Sequence, residues 1–100
     1  MLKHIVMFKL KEAALGADKA ENLQRVKLRL EDLKDKIAEI KFFEVGVNIT
    51  NSGAAYDLAL LSEFDTQTAL LTYQSHPEHL KVAEFVQEVC ESRTVVDYFS

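Results

Sequence analysis

An α+β fold with the element order β-α-β-β-α-β follows from three features of the 100-residue chain. One long stretch repeats its apolar residues at helical spacing, four short segments alternate or run apolar as strands do, and a proline-led segment opens a second long helix. An apolar content of 48% against 28% charged residues is that of an ordinary globular domain, and the length allows one domain over residues 1–100.

The first strand is read over residues 3–10, where His4, Val6, Phe8 and Leu10 alternate with Lys3, Ile5, Met7 and Lys9. Around Gly16, residues 13–17 form a soft break. Over residues 18–39, Leu23, Val26, Leu30, Leu33, Ile37 and Ile40 recur at three- and four-residue steps, which predicts a helix with one buried stripe. Asp18 followed by Glu21 supplies a capping-box-like start. Residues 42–49 and 56–64 read as two strands joined in a hairpin by the polar loop at 48–54, NITNSGA. A short helix is expected over residues 65–73. A longer one begins near Ser75, His76 or Pro77, because proline is tolerated in a helix's first turn. Its expected buried stripe is Leu80, Ala83, Phe85, Val86, Val89 and Cys90. Residues 93–99, RTVVDYF, close the chain as a strand.

This order matches the ferredoxin-like split unit, a four-stranded antiparallel sheet with two helices on one face. Such a sheet should be polar on its uncovered side, yet Ile5 and Met7 oppose Val6 and Phe8, and Ala59 and Leu61 oppose Leu58 and Leu60. A second copy of the chain is the economical cover, since a two-fold interface is self-complementary. Burying about 600 Å² of apolar area per subunit is worth on the order of 15 kcal/mol before the entropic cost of association. A homodimer through the sheet faces is the expectation.

Charge is laid out unevenly, net +2 over residues 1–40 and −6 over residues 41–100. Neither part concentrates cations as nucleic-acid binding requires. No apolar run approaches the roughly 20 residues that span a bilayer, and the first ten residues lack the layout of a signal peptide, so a cytoplasmic location is expected. The single Cys90 suits a reducing compartment, and its place on an apolar stripe reads as a buried, inert thiol. Gly16, Gly46 and Gly53 are isolated, so no phosphate-cradling loop exists, and no serine-nucleophile elbow is present.

Functional side chains are densest from Tyr73 through His76, Pro77 and His79. An imidazole can exchange a proton near neutral pH and a phenol can donate to a developing oxyanion, so a Tyr/His pair equips a site for cofactor-free proton transfer beside a carbonyl. Structural readings stand alongside. Ser75 and Glu78 can form a capping box that leaves His76 as helix-start hardware, Tyr73 can be a core aromatic, and His4 can be a hydrogen-bonded core histidine. His76, His79 and His4 together fall short of a zinc site, which wants further ligands and usually thiolates in structural cases, so no metal is expected.

Four segments in order, His4 to Leu10, Tyr56-Asp57-Leu58-Ala59-Leu60 ending in Glu63-Phe64, Tyr73-x-x-His76-Pro77-x-His79 and Val96-Asp97-Tyr98-Phe99, resemble the stress-responsive A/B barrel (Dabb) family over nearly the whole chain. The resemblance implies a dimeric α/β barrel in which two ferredoxin-like sheets pack face to face. Within that family the motif is similar to that of the olivetolic acid cyclase type, which closes a polyketide by aldol condensation without a cofactor. By that similarity His79 would be the general base, Tyr73 would hold the substrate and stabilise the enolate, and His4 would line the cavity; His76 is carried beside His4 as a candidate substrate-binding residue. The third strand departs from that cyclase, carrying Leu58 where it has a histidine. Three functions are carried forward. The first is binding of a small apolar or carbonyl-containing molecule between sheet and helices. The second is a cofactor-independent cyclase, isomerase or lyase using Tyr73 and His79. The third is a haem-degrading or quinol-type monooxygenase, disfavoured by the absence of tryptophan.

Overall fold

A computed structural model describes residues 1–100. The chain runs through β1 (Leu2–Leu10), a miniature hairpin of β2 (Ala13–Ala14) and β3 (Ala17–Asp18), α1 (Lys19–Asp32) and a 3₁₀ turn (Leu33–Asp35). It continues through β4 (Phe42–Val47), β5 (Leu58–Phe64), α2 (Gln67–Ser75), α3 (Pro77–Val89) and β6 (Cys90–Phe99). The main sheet has the order β4-β5-β1-β6 with every neighbouring pair antiparallel, the ferredoxin-like plait expected from the element order.

Alternation decides the two faces of that sheet. Leu2, His4, Val6, Phe8 and Leu10 of β1 are buried with Leu58, Leu60 and Phe64 of β5 and with Val26, Leu30, Leu33, Val86 and Val89 beneath the helices. Ile5, Met7, Ala59, Leu61, Val96 and Tyr98 lie in register on the other face, which no helix covers. Lys3, Lys9, Glu44 and Glu63 share that face with them. The uncovered side is thus apolar with charged residues interspersed, as the strand pattern predicted.

Four expectations need correction. The helix expected over residues 18–39 ends at Asp32 and tightens into the 3₁₀ turn. Asp32 and Asp35 place negative charge where the helix dipole disfavours it, while Leu33 and Ile37 stay buried and continue the stripe as a bend. The soft break at Gly16 is an ordered hairpin, with Leu15 and Gly16 both at positive φ, 51° and 75°, as a two-residue primed turn requires. Asn22, fully buried on α1, fastens it by donating to the carbonyls of Ala14 at 3.0 Å and Ala17 at 3.4 Å. Leu80 is 54% exposed rather than buried. With α3 starting at Pro77, the inward positions are His79, Val82, Val86 and Val89, and Leu80 stands about 100° or more round from each of them. Finally, β6 begins at Cys90 rather than residue 93, so Cys90 ends the helix and opens the strand.

That early start contains a β-bulge. Leu10 pairs with Cys90 but Lys9 pairs with Ser92, leaving Glu91 as the extra residue. The insertion resets the alternation. Arg93, Val95, Asp97 and Phe99 therefore come opposite Phe8, Val6, His4 and Leu2 on the helix-covered face of the sheet.

Candidate functional site

The helical corner builds the site. α2 is capped by Thr66, whose side chain accepts from the Ala69 N–H at 3.1 Å, and it ends at Ser75. His76 follows with extended backbone (ψ 136°), and its Nδ1 accepts from the Glu78 N–H at 3.0 Å to cap α3. Ser75, expected as that cap, instead donates to the carbonyls of Leu71 and Thr72 at the end of α2. Because the chain turns at His76, the last turn of α2 and the first turn of α3 bring Tyr73 and His79 together. Their ring centroids are 4.5 Å apart.

Tyr73 is 1% exposed and packs edge-on or tilted against Phe64 (5.0 Å), Phe43 (6.1 Å) and His4 (6.3 Å). His4 enters from β1, 5% exposed, and its Nδ1 meets Asp97 Oδ1 across the β1–β6 ladder at 2.5 Å. The His4 main-chain carbonyl accepts from the buried Ser62 hydroxyl at 3.0 Å, which ties β5 to the same spot. His4, Tyr73 and His79 all line one cavity of about 420 Å³ between the sheet and α3. Val6, Phe8, Leu60, Val82 and Val86 make most of its remaining wall apolar, and Gln87, Glu91, Ser92 and Arg93 add polar groups where β6 begins.

Burial sets the chemistry of these groups. It pushes the Tyr73 phenol far above its ordinary value, only weakly offset by the Arg93 charge, so Tyr73 is a neutral donor at any working pH. Burial also pushes His79 below the usual imidazole value. The nearby Gln74 carbonyl opposes that shift without closing a hydrogen bond of normal geometry, and the charges of His4, Arg93 and His76 reinforce it. His79 Nδ1 is buried with no hydrogen-bond partner, an uncommon state for a buried polar atom. Cys90, also on the cavity wall, is pushed up to about 11 by burial and by the Asp57 charge, which keeps it a thiol.

The structure gathers three of the four candidate residues, His4, Tyr73 and His79, and leaves out the fourth. His76 is absent from the cavity wall and its Nδ1 accepts from the Glu78 N–H in the helix cap. Leu58 is buried in the core and is likewise not part of the wall. Two polar residues went unread from the sequence, Asp97 and Arg93. Antiparallel pairing of the first and last strands would have brought both toward His4, but only with knowledge of the register that the bulge at Glu91 creates. No three His, Cys, Asp or Glu side chains gather in an arrangement that could hold a metal ion. No helix is long and apolar enough to cross a membrane.

Comparison with known proteins places this geometry in context. A dimeric protein of unknown function with a ferredoxin-like fold from Bacteroides fragilis superposes with a TM-score of 0.85 at 38% identity, covering 99% of this chain and 95% of that one. A hydroxynitrile lyase from Passiflora edulis shares the fold, with a TM-score of 0.81 at 19% identity over 97% of this chain and 90% of the other. In sequence, an uncharacterized protein from Streptomyces coelicolor is 35% identical over 79 residues, 79% of each chain. The family description "Stress responsive A/B Barrel Domain" matches residues 2–100. With its plait, its uncovered apolar sheet face and that match over all but the first residue, the chain belongs to the stress responsive A/B barrel domain family.

Proposed function

We propose that this chain is a homodimeric pocket protein that binds a small, mainly apolar molecule carrying a carbonyl group in the cavity between its sheet and α3. The observation that carries the reading is the convergence of a protonated phenol, Tyr73, and the half-buried imidazole of His79, whose buried Nδ1 has no partner, on a cavity otherwise walled mostly by apolar side chains. An apolar wall with a few convergent polar groups is the ordinary design of a small-molecule site. A carbonyl oxygen is the acceptor that a neutral phenol can serve. Dimer formation is supported by the apolar, helix-free face of the sheet and by the description of the Bacteroides fragilis protein as dimeric.

A second reading, turnover without a cofactor, is favoured by the state of the two histidines. His79 is held toward its neutral form, and His4 is oriented by Asp97 through Nδ1, so each can act as a base. A proton leaves the carbon next to the carbonyl for an imidazole nitrogen, the C–H electron pair moves into the enolate, and Tyr73 donates a hydrogen bond to the enolate oxygen. Return of the proton to either end of the enolate balances the step.

Thermal unfolding with 2-octanone as the probe tests binding, since a ligand of the native state raises the melting temperature by mass action. The rise is expected in the wild type and lost in Ala83→Phe, which fills the cavity. Absence of any rise in the wild type overturns the binding reading. Deuterium uptake by 2-octanone in heavy water, followed by NMR, tests turnover. Uptake at the buffer rate would remove it.

A further inference from the structure

The cavity carries one charge that neither the fold nor the proton-transfer chemistry uses. Arg93 is the only Lys or Arg on the wall, placed on the helix-covered face opposite Phe8 by the bulge at Glu91. None of its guanidinium nitrogens has a carboxylate within 4.0 Å, whereas six of the chain's other eleven Lys and Arg side chains are so paired, such as Lys27 with Glu31 and Lys36 with Asp32. It makes no side-chain hydrogen bond either, while the neighbouring Ser92 hydroxyl reaches Tyr56 at 3.4 Å. A guanidinium free of internal partners keeps its donor fork available, and that fork matches a carboxylate bidentately.

We propose that Arg93 is the specificity-determining residue of this cavity, binding the carboxylate of a ligand whose carbonyl lies against Tyr73 and His79, so that the preferred class is an apolar oxo acid rather than a neutral ketone. The inference rests on the pocket reading above and names its substrate class. A monoanion suits the rim better than a phosphate dianion, because Glu91 also lines it and offsets the single charge of Arg93, so each further negative charge on a ligand adds repulsion. The field of Arg93 also reaches the interior, where it favours the negative form of Tyr73 and Cys90 and disfavours a positive His79. An anchored carboxylate at the rim would direct the apolar chain inward along Val6, Phe8 and Val86, leaving the carbonyl end at the aromatic cluster.

The test compares 7-oxooctanoate with 2-octanone, which share a chain length and a methyl ketone and differ in the terminal carboxylate. Binding is measured by calorimetry at low and high salt on the wild type, Arg93→Gln and Arg93→Lys. In the wild type the oxo acid is expected to bind at least about tenfold more tightly than the ketone, equivalent to about 1.4 kcal/mol, with the advantage shrinking at high salt. Arg93→Gln should abolish the preference, and Arg93→Lys should restore part of it. Equal affinity of the wild type for the two probes, or an undiminished preference in Arg93→Gln, overturns the Arg93 assignment alone. Failure of both probes to bind overturns the pocket reading and this inference with it.

Discussion

His4 Nδ1 and Asp97 Oδ1 stand 2.5 Å apart across the β1–β6 ladder, although 93 positions separate them in the chain. The contact orients the imidazole: in its neutral form, with Nδ1–H donating to the carboxylate, the ring would carry its lone pair on Nε2. The sheet register does this work, since Asp97 faces His4 directly only because Glu91 is bulged out of the strand. A local irregularity at one end of β6 therefore sets the polarity of a side chain six residues further along.

Asp97→Asn separates the two candidate bases: a fall in deuterium uptake by 2-octanone of about a hundredfold, the low end of what a positioned general base contributes, assigns the proton to His4, and an unchanged rate assigns it to His79. Stability should fall by less than about 1 kcal/mol, because the Asp97 side chain is 37% exposed and a solvent-screened pair contributes little. NMR exchange rates and urea unfolding measure the two effects separately. An unchanged exchange rate would reduce Asp97 to a residue of the strand edge.

Tyr73 separates ring from hydroxyl. Tyr73→Phe keeps the contacts with Phe64, Phe43, His4 and His79, so the melting temperature should hold while the affinity for 2-octanone drops by about tenfold, the worth of one hydrogen bond near the upper end of the usual range. Tyr73→Ala removes the ring and should cost about 3–5 kcal/mol, as large aromatic deletions do. If Tyr73→Phe loses stability as Tyr73→Ala does, the hydroxyl is part of the fold rather than of the site.

Much of the plait could be read in advance because its signals are local. The Asp18 cap at 2.9 Å from the Glu21 N–H, the stripe of Val26, Leu30 and Leu33, and the alternation of β1 each follow from residues within a few positions of one another. The hairpin at Leu15 was hidden because a leucine at φ 51° is an uncommon choice for a left-handed turn, and Asn22 holds it from the next helix. The site was half legible. Tyr73 and His79 announce themselves by proximity in the sequence, whereas Asp97 and Arg93 depend on a strand register that one inserted residue resets. His76 takes the helix-start role that the sequence also allowed it, since an imidazole nitrogen can accept from a first-turn N–H as a carboxylate or hydroxyl does.

The uncovered sheet face makes its own prediction. Ile5 lies between Leu61 on β5 and Val96 on β6, so the three form an apolar row across the middle of that face. Ile5→Lys places a charge at the centre of the proposed two-fold interface and should convert a dimer to monomers at micromolar concentration in sedimentation velocity. Leu28→Glu, at a residue 65% exposed on α1, should leave the dimer intact. A monomeric wild type would overturn the dimer, and a dimeric Ile5→Lys protein would place its interface elsewhere.

His79 should give the protein a pH-dependent stability of definite sign. Burial lowers its folded value below the ordinary imidazole value of about 6.5, which the unfolded chain retains. Between those two values the unfolded state binds more protons, so stability rises with pH through that window. The contribution is complete above about pH 6.5 and is lost as pH falls toward and through the folded value. Urea midpoints measured from pH 7 to pH 5 should decline, and His79→Gln, which cannot titrate, should flatten that decline. Deuterium uptake should follow the same group, with an acid limb centred below pH 6.5 because the neutral imidazole persists into more acidic solution than a free histidine would. A decline of equal slope in His79→Gln would move the titration to another residue, and an acid limb centred above pH 6.5 would mean that His79 is not the base, since burial can only push its limb the other way.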